Sequence, residues 1–415
     1  MKKLFIINII LLLLLIFVGC KKNSPTEPQP TKPPGYQEDI PWASLADSPW
    51  PMNHHDPQST GRSKFVGPSL GVFDWTLDSI YMKSGVSIAS DGTIYFISTS
   101  ERRGLFALNP DGSIKWVLKE VVDNSDLVST PLLGNDGTIY IGGGLNGKLY
   151  AINPDGTIKW ELETLGFIYN VGLNIGIDGT IYLLNGGPTT TAKLVAVNPI
   201  GKIDWYYEND NIYYATSSGT AISPDGKTIY IPGTDPSLFA FDLVNRKLKW
   251  EFGNTRYGTS PTVDNEGNIY LVTSSDTINS GNTSVFCLTK YGQLKWSYNF
   301  GWNADLFHFI LEGTIDENGD YYFAIDTLYS FDYSGNLKRK VGLGGTSLGS
   351  LINDKNGNIY LNLGSEQKYL SINNDGIIRW SIDLSNQFSG HSPALSSDGK
   401  LYIPTFKSNR FYCIK

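Results

Sequence analysis

Four histidines and three cysteines, with scattered carboxylates, are the side chains of this sequence equipped for covalent or metal chemistry. His54-His55-Asp56 sets ligand-type residues in a row, but adjacent side chains need not converge on one centre and no further strong ligand follows. The cluster therefore reads as structural. A serine hydrolase would need His54, His55, His308 or His391 as its base, and none has a G-x-S-x-G elbow beside it. Gly142-Gly143-Gly144 falls where a strand passes into a loop, which fits a hairpin better than a nucleotide cradle, and neither a P-loop nor a C-x-x-C pair occurs. Calcium would need roughly six to eight oxygen ligands, whereas most Asp and Asn residues here occupy turns. The separation of paired carboxylates is a three-dimensional quantity that the sequence does not carry. These readings predict a non-enzyme with no metal and no cofactor.

The elements that would have to position any such chemistry are strands. The chain has 415 residues, 13% of them aromatic, with 44 Gly, a composition that suits an all-β protein rich in turns. A formal net charge of -7 argues against a phosphate-binding surface, so nucleic acid is not an expected partner. At the N-terminus, Lys2 and Lys3 precede an apolar run from Leu4 to Val18 and then Gly19-Cys20. The run is shorter than the roughly 18 to 20 apolar residues that span a bilayer. It is similar to a bacterial lipoprotein signal, with Cys20 as the acylated first residue of the mature chain. Residues 21–40 are Pro-rich and too poor in apolar side chains to fold. The expected organisation is a signal peptide over 1–19, a lipidated tether over 20–47 and a folded body over 48–415.

Within that body one unit recurs, roughly D-G-x-I-Y, then L-x-A-x-N-P-x-G, then I-K-W. Its first turn appears eight times, at Asp91-Gly92, Asp136-Gly137, Asp178-Gly179, Asp225-Gly226, Glu266-Gly267, Asn318-Gly319, Asn356-Gly357 and Asp398-Gly399. Asp-Gly and Asn-Gly favour the positive φ angles of tight hairpins. The unit closes on Trp116, Trp160, Trp205, Trp250, Trp296 and Trp380, with Arg339 in the sixth position. The eighth unit stops before its Trp, and Gly71 to Trp75 keeps the same offset at the other end of the chain. The prediction is an eight-bladed β-propeller of four-stranded antiparallel blades, about 43 residues each, its ring closed by an N-terminal strand. Ala107, Ala151, Ala196, Ala240, Cys287, Ser330, Ser371 and Cys413 take equivalent small-residue slots. Cys287 and Cys413 then fall three blades apart, too far for a disulfide, and are expected to be free buried thiols.

The small residue, Asn, turn Gly and Trp of Ala107-Asn109-Gly112-Trp116 and Ala151-Asn153-Gly156-Trp160 resemble the repeat of the pyrroloquinoline-quinone-like propellers, a family that includes quinoprotein alcohol dehydrogenases and BamB-type outer-membrane assembly lipoproteins. The resemblance covers most of residues 48–415 and implies that Trp75, Trp116, Trp160, Trp205, Trp250, Trp296 and Trp380 dock each blade on its neighbour. Trp50-Pro51-Met52, His55-Asp56 and Thr60-Gly61 resemble the segment preceding blade one in such propellers. The spacing departs from the family pattern, since Ala107 to Trp116 spans nine positions and only Ala240 to Trp250 spans ten. The vicinal Cys-Cys that a quinoprotein would set against its cofactor is missing.

In an antiparallel meander, first-to-second and third-to-fourth strand turns share one face, here called the turn face. Second-to-third loops and blade connections share the other, the loop face. The irregular, aromatic segments fall on the loop face, and Arg102, Arg103, Phe167, Tyr169, Tyr206, Tyr207, Tyr213, Tyr214, Trp302, Phe307 and His308 form the expected binding face. The functional expectation is a monomeric, non-catalytic envelope lipoprotein, on the outer membrane by preference. Its partners would be envelope proteins or peptides, and the BamB resemblance implies outer-membrane assembly machinery among them. A glycan- or peptide-binding surface lipoprotein is the alternative, and a residual quinoprotein dehydrogenase comes third.

Overall fold

The computed structural model describes residues 32–99, 102–122, 128–168, 172–187, 190–212, 219–253, 257–274, 283–301, 312–347, 349–384, 391–405 and 410–415. Eight antiparallel sheets follow one another along the chain as the blades of a propeller. Blade one is typical: Ser87–Ile88 lies innermost, then Ile94–Ser98 and Gly104–Leu108, with Ile114–Leu118 outermost. In blade five the inner position is shared by Tyr257–Gly258 and Thr262–Val263, which both pair with Ile269–Ser274. Blade eight joins the chain ends, with Phe73–Asp78 pairing against Arg410–Ile414 in the register Trp75 to Cys413 and Asp78 to Arg410. That closure leaves no open sheet at the seam between first and last blades.

The repeat maps directly onto blade cross-sections. Second and third strands are buried along their length, as in Ile94–Ser98 and Gly104–Leu108, and supply the aliphatic core, whereas outer strands such as Ile158–Glu163 alternate exposed and half-buried positions. Seven of the eight small slots face an outer Trp across the sheet, as Ala107 opposite Trp116, Ala151 opposite Trp160, Cys287 opposite Trp296 and Ser371 opposite Trp380, and Ser330 faces Arg339. A larger residue there would fill the space the indole ring covers. The Tyr of the second strand completes the row, with Tyr95 to Trp116 and Tyr140 to Trp160 both at 5.9 Å between ring centroids. Cys287 and Cys413 are buried free thiols in blades five and eight.

Five of these Trp side chains, Trp75, Trp116, Trp160, Trp250 and Trp380, also bond forward around the ring. Trp75 Nε1 donates to the Pro110 carbonyl of blade one at 3.0 Å, Trp116 to Pro154 of blade two at 3.0 Å, and Trp160 to Pro199 of blade three at 3.1 Å. Under each indole lies the next blade's turn glycine in the left-handed region, such as Gly156 at φ +87, where a Cβ would come 3.0 Å from the Trp116 ring. Glycine is needed there for both reasons at once. Trp380 closes the series by donating to Pro68 (3.0 Å) and covering Gly71, on the segment that leads into Phe73–Asp78. Where blade four has no turn glycine at this slot, Trp205 stacks on Phe241 at 5.5 Å and lies under the Arg246 guanidinium.

Packing starts before the boundary expected at residue 48. Pro34 to Lys415 forms one compact unit, and Gln37, Trp42 and Leu45 are buried, so residues 34–47 belong to the body rather than to a free tether. This strap runs over the turn face. Gln37 N donates to Glu317 O in blade six, Trp42 Nε1 to Ile175 O in blade three and Asn135 N of blade two to Ser44 O. Residues 50–62 then fill the propeller axis as a plug. The inner-strand amides of Ile88, Leu133, Ile222, Val263, Ile315 and Asn353 donate to the carbonyls of Trp50, Pro51, Pro57, Gln58, Thr60 and Gly61, at 2.7 to 3.2 Å. Inner strand edges that would otherwise need water are thus satisfied by the chain itself.

Candidate functional site

Plug residues reach the loop-face end of the axis through Asn53. Its Nδ2 lies 3.4 Å from Glu312 Oε1, and its Oδ1 accepts from the Thr130 hydroxyl at 3.3 Å. Glu312 is buried and its other oxygen accepts from the Ser350 hydroxyl. His54, also buried, has Nδ1 2.8 Å from Ser59 O and Nε2 2.9 Å from Leu351 O, tying the plug hairpin to blade seven. His54, His55 and Ser59 all adopt positive φ, the tight winding that lets this hairpin turn inside the axis. His55 Nδ1 pairs with Asp56 at 3.1 Å. Burial would raise the Asp56 carboxyl, but hydrogen bonds from His55 and Thr60 outweigh it and hold the carboxyl below its ordinary value. Asn53, His54, Asp56 and Glu312 are thus engaged in holding the plug.

These residues do not fit the quinone and calcium that the family resemblance implies. The two described cysteines are not vicinal, each lying buried opposite an outer-strand Trp in its own blade. Burial raises the Cys287 thiol and pushes that of Cys413 up to about 12, so neither is poised as a thiolate. Glu312 and Asn53, an acid and an amide at the loop-face end of the axis, already hold protein donors.

The structure divides the expected binding face. Arg102 and Arg103 sit in the second-to-third loop of blade one, where Arg102 Nη1 reaches the Asp78 carbonyl at 3.4 Å and the guanidinium lies 5.9 Å from the Phe106 ring. Phe167 sits in the connection after blade two, bridged through its backbone to Gly186. Leu145 and Leu165, which the sequence reading did not single out, are exposed on the same face. Tyr206 and Tyr207 do not belong to it: both lie within the outer strand Ile203–Glu208, where alternation turns Tyr206 to solvent and packs Tyr207 4.8 Å from Phe241 of blade four. Adjacent tyrosines carry no mark separating a loop from a strand edge, so only the register decides. Tyr169, Tyr213, Tyr214, Trp302, Phe307, His308 and Cys20 lie outside the described residues.

The fold defines the class: an eight-bladed β-propeller with a plugged axis. No family model and no curated protein matches the sequence. Among solved structures, BamB from Moraxella catarrhalis matches over 83% of this chain and 100% of its own, with a TM-score of 0.62 at 13% identity. A streptogramin B lyase structure matches over 82% of this chain and 97% of its own (TM-score 0.51, 12% identity). Kuenenia stuttgartiensis hydrazine synthase matches over 70% and 96% (TM-score 0.51, 15% identity). At these identities the likeness is one of fold, shared by proteins of different activity.

Proposed function

We propose that this chain is a non-catalytic envelope lipoprotein, anchored through Cys20, whose propeller is a protein-interaction scaffold of the BamB kind serving outer-membrane protein assembly. The observation that carries the reading is the plug: with the axis filled by the chain's own backbone and every axial histidine engaged, binding falls to the surface. Loop variation on a rigid ring is where recognition is normally built, and here the loop face carries Arg102, Leu145, Leu165 and Phe167. The likeness in form to BamB supports a scaffold, and the Leu4–Val18 run before Gly19-Cys20 supports the anchor.

The test is in situ cross-linking of the full chain in native membranes, followed by affinity capture. A defined envelope protein should be recovered, and exposed Leu145→Glu with Leu165→Glu should lower its yield by about tenfold, the size expected of a lost hot spot. Recovery of glycan alone, or protein capture unchanged by both substitutions, would overturn the reading.

A further inference from the structure

Among the described residues, the most exposed large apolar side chains stand on the face opposite the loops. At the tips of the third-to-fourth strand turns, and at the matching turn before Phe73–Asp78, stand Leu70 (72% exposed), Ile200 (69%), Tyr291 (69%) and Ile377 (63%), from blades eight, three, five and seven. Ile114 and Ile158 carry the pattern through blades one and two. Ile114 and Ile158 come from the I-K-W element that opens their outer strands, whereas Leu70, Ile200, Tyr291 and Ile377 lie in the turns just before theirs. Lys115 and Lys159 next to Ile114 and Ile158 are paired, with Asp91 at 3.3 Å and Asp136 at 2.9 Å. Scattered apolar residues need no explanation, but large side chains exposed at the turn tips of four blades on one face mark a contact surface.

The occupant is indicated by where the chain enters. Gly35 lies against Tyr333 and Gly319 of blade six, and the strap crosses this same face before diving into the axis. The first residues of the compact body therefore lie on the turn face, and Cys20 precedes them in sequence. With the strap docked, only residues 21–33 are left to span the gap, about 40 Å at about 3.1 Å per residue. We propose that the turn face lies on the lipid bilayer, its apolar turn tips entering the interfacial zone, so that the loop face points away from the membrane. This rests on the lipoprotein reading above and assigns it an orientation.

Single-cysteine variants of the full acylated chain test it, because Cys287 and Cys413 are buried and Cys20 would be blocked by acylation. Ile200→Cys, Tyr291→Cys and Ile377→Cys report the turn face, and Leu145→Cys the loop face. In phosphatidylethanolamine–phosphatidylglycerol vesicles, a membrane-impermeant maleimide should label the three turn-face sites at least about tenfold more slowly than in the body detached from the same vesicles by trypsin. The Leu145→Cys rate should be unchanged. Equal rates at all four sites, or slowing at Leu145→Cys, would overturn the orientation. Slowing that persists after release and grows with protein concentration would overturn it in favour of a second copy covering the face. The mass of the N-terminal peptide reports separately on the premise: without an acyl chain the lipoprotein reading fails and takes this one with it.

Discussion

His391 is the residue whose protonation the fold opposes most clearly. Burial, with a smaller contribution from nearby Lys83, lowers its pKa from 6.5 to about 4. The folded state then binds the proton less readily than the unfolded chain, so this residue's stabilising contribution is present above pH 6.5 and is lost as pH falls through about 4. The denaturant midpoint should decline over that window, and His391→Gln should flatten the decline; a wild-type midpoint constant from pH 6.5 to 4 would refute the assignment. The turn carboxylates act in a lower window. At Asp91 and Asp136 burial raises the carboxyl, but hydrogen bonds from Thr93 and Lys115, and from Lys159 and Thr138, outweigh it and leave each below 3.8. Their contribution disappears only as pH falls below that value. Asp264 and Asp316, raised chiefly by burial, run the other way: theirs is present below 3.8 and lost as pH rises through the folded value.

The joint between blades is the element that most repays perturbation. Half-buried Trp116 donates to Pro154 O and lies over Gly156, whose φ is +87. Gly156→Ala should cost about 1–3 kcal/mol, because the new Cβ needs a left-handed backbone and meets the indole. Trp116→Ala should cost about 2–4 kcal/mol, near the low end for loss of a large aromatic since the ring is only half covered. With the indole gone the Cβ has space, so the double variant should fall short of additivity by about 0.5–1 kcal/mol in chemical denaturation. Strict additivity would show that ring and turn do not bear on each other. Blade six lacks this joint, its Arg339 reaching only to Asp375 at 3.8 Å.

At the scale of the whole molecule, closure depends on one strand pairing. Phe73–Asp78 and Arg410–Ile414 are held by ladder hydrogen bonds and by ion pairs at the rim, Lys415 to Asp74 at 2.8 Å among them. If the ring opens at this seam, linking Asp78→Cys to Arg410→Cys, directly opposite in register, should raise the unfolding free energy by up to about 5 kcal/mol, because the closed loop takes in nearly the whole body. The gain should vanish on reduction. An oxidised variant no more stable than the reduced one would mean that unfolding begins elsewhere.

Blade number, the small-residue slots and the shared seam were legible in the sequence because each is local: a Gly at fixed offset sets a turn, and period-two burial sets a strand. The separation of Cys287 from Cys413 followed from the same counting. The plug was not legible, since carbonyls carry no sequence signature and Pro51 to Arg62 has no periodicity; its place depends on donors from six blades that exist only once the ring has formed. The strap was hidden for a similar reason, its few apolar residues being too sparse to fold alone but sufficient against a finished turn face. Tyr206 and Tyr207 show the limit at single residues, where register against Phe241 and solvent, set by the neighbouring strand, decides what composition leaves open. Local chemistry therefore determined the repeat, and tertiary structure decided what fills the centre and which side chains each face presents.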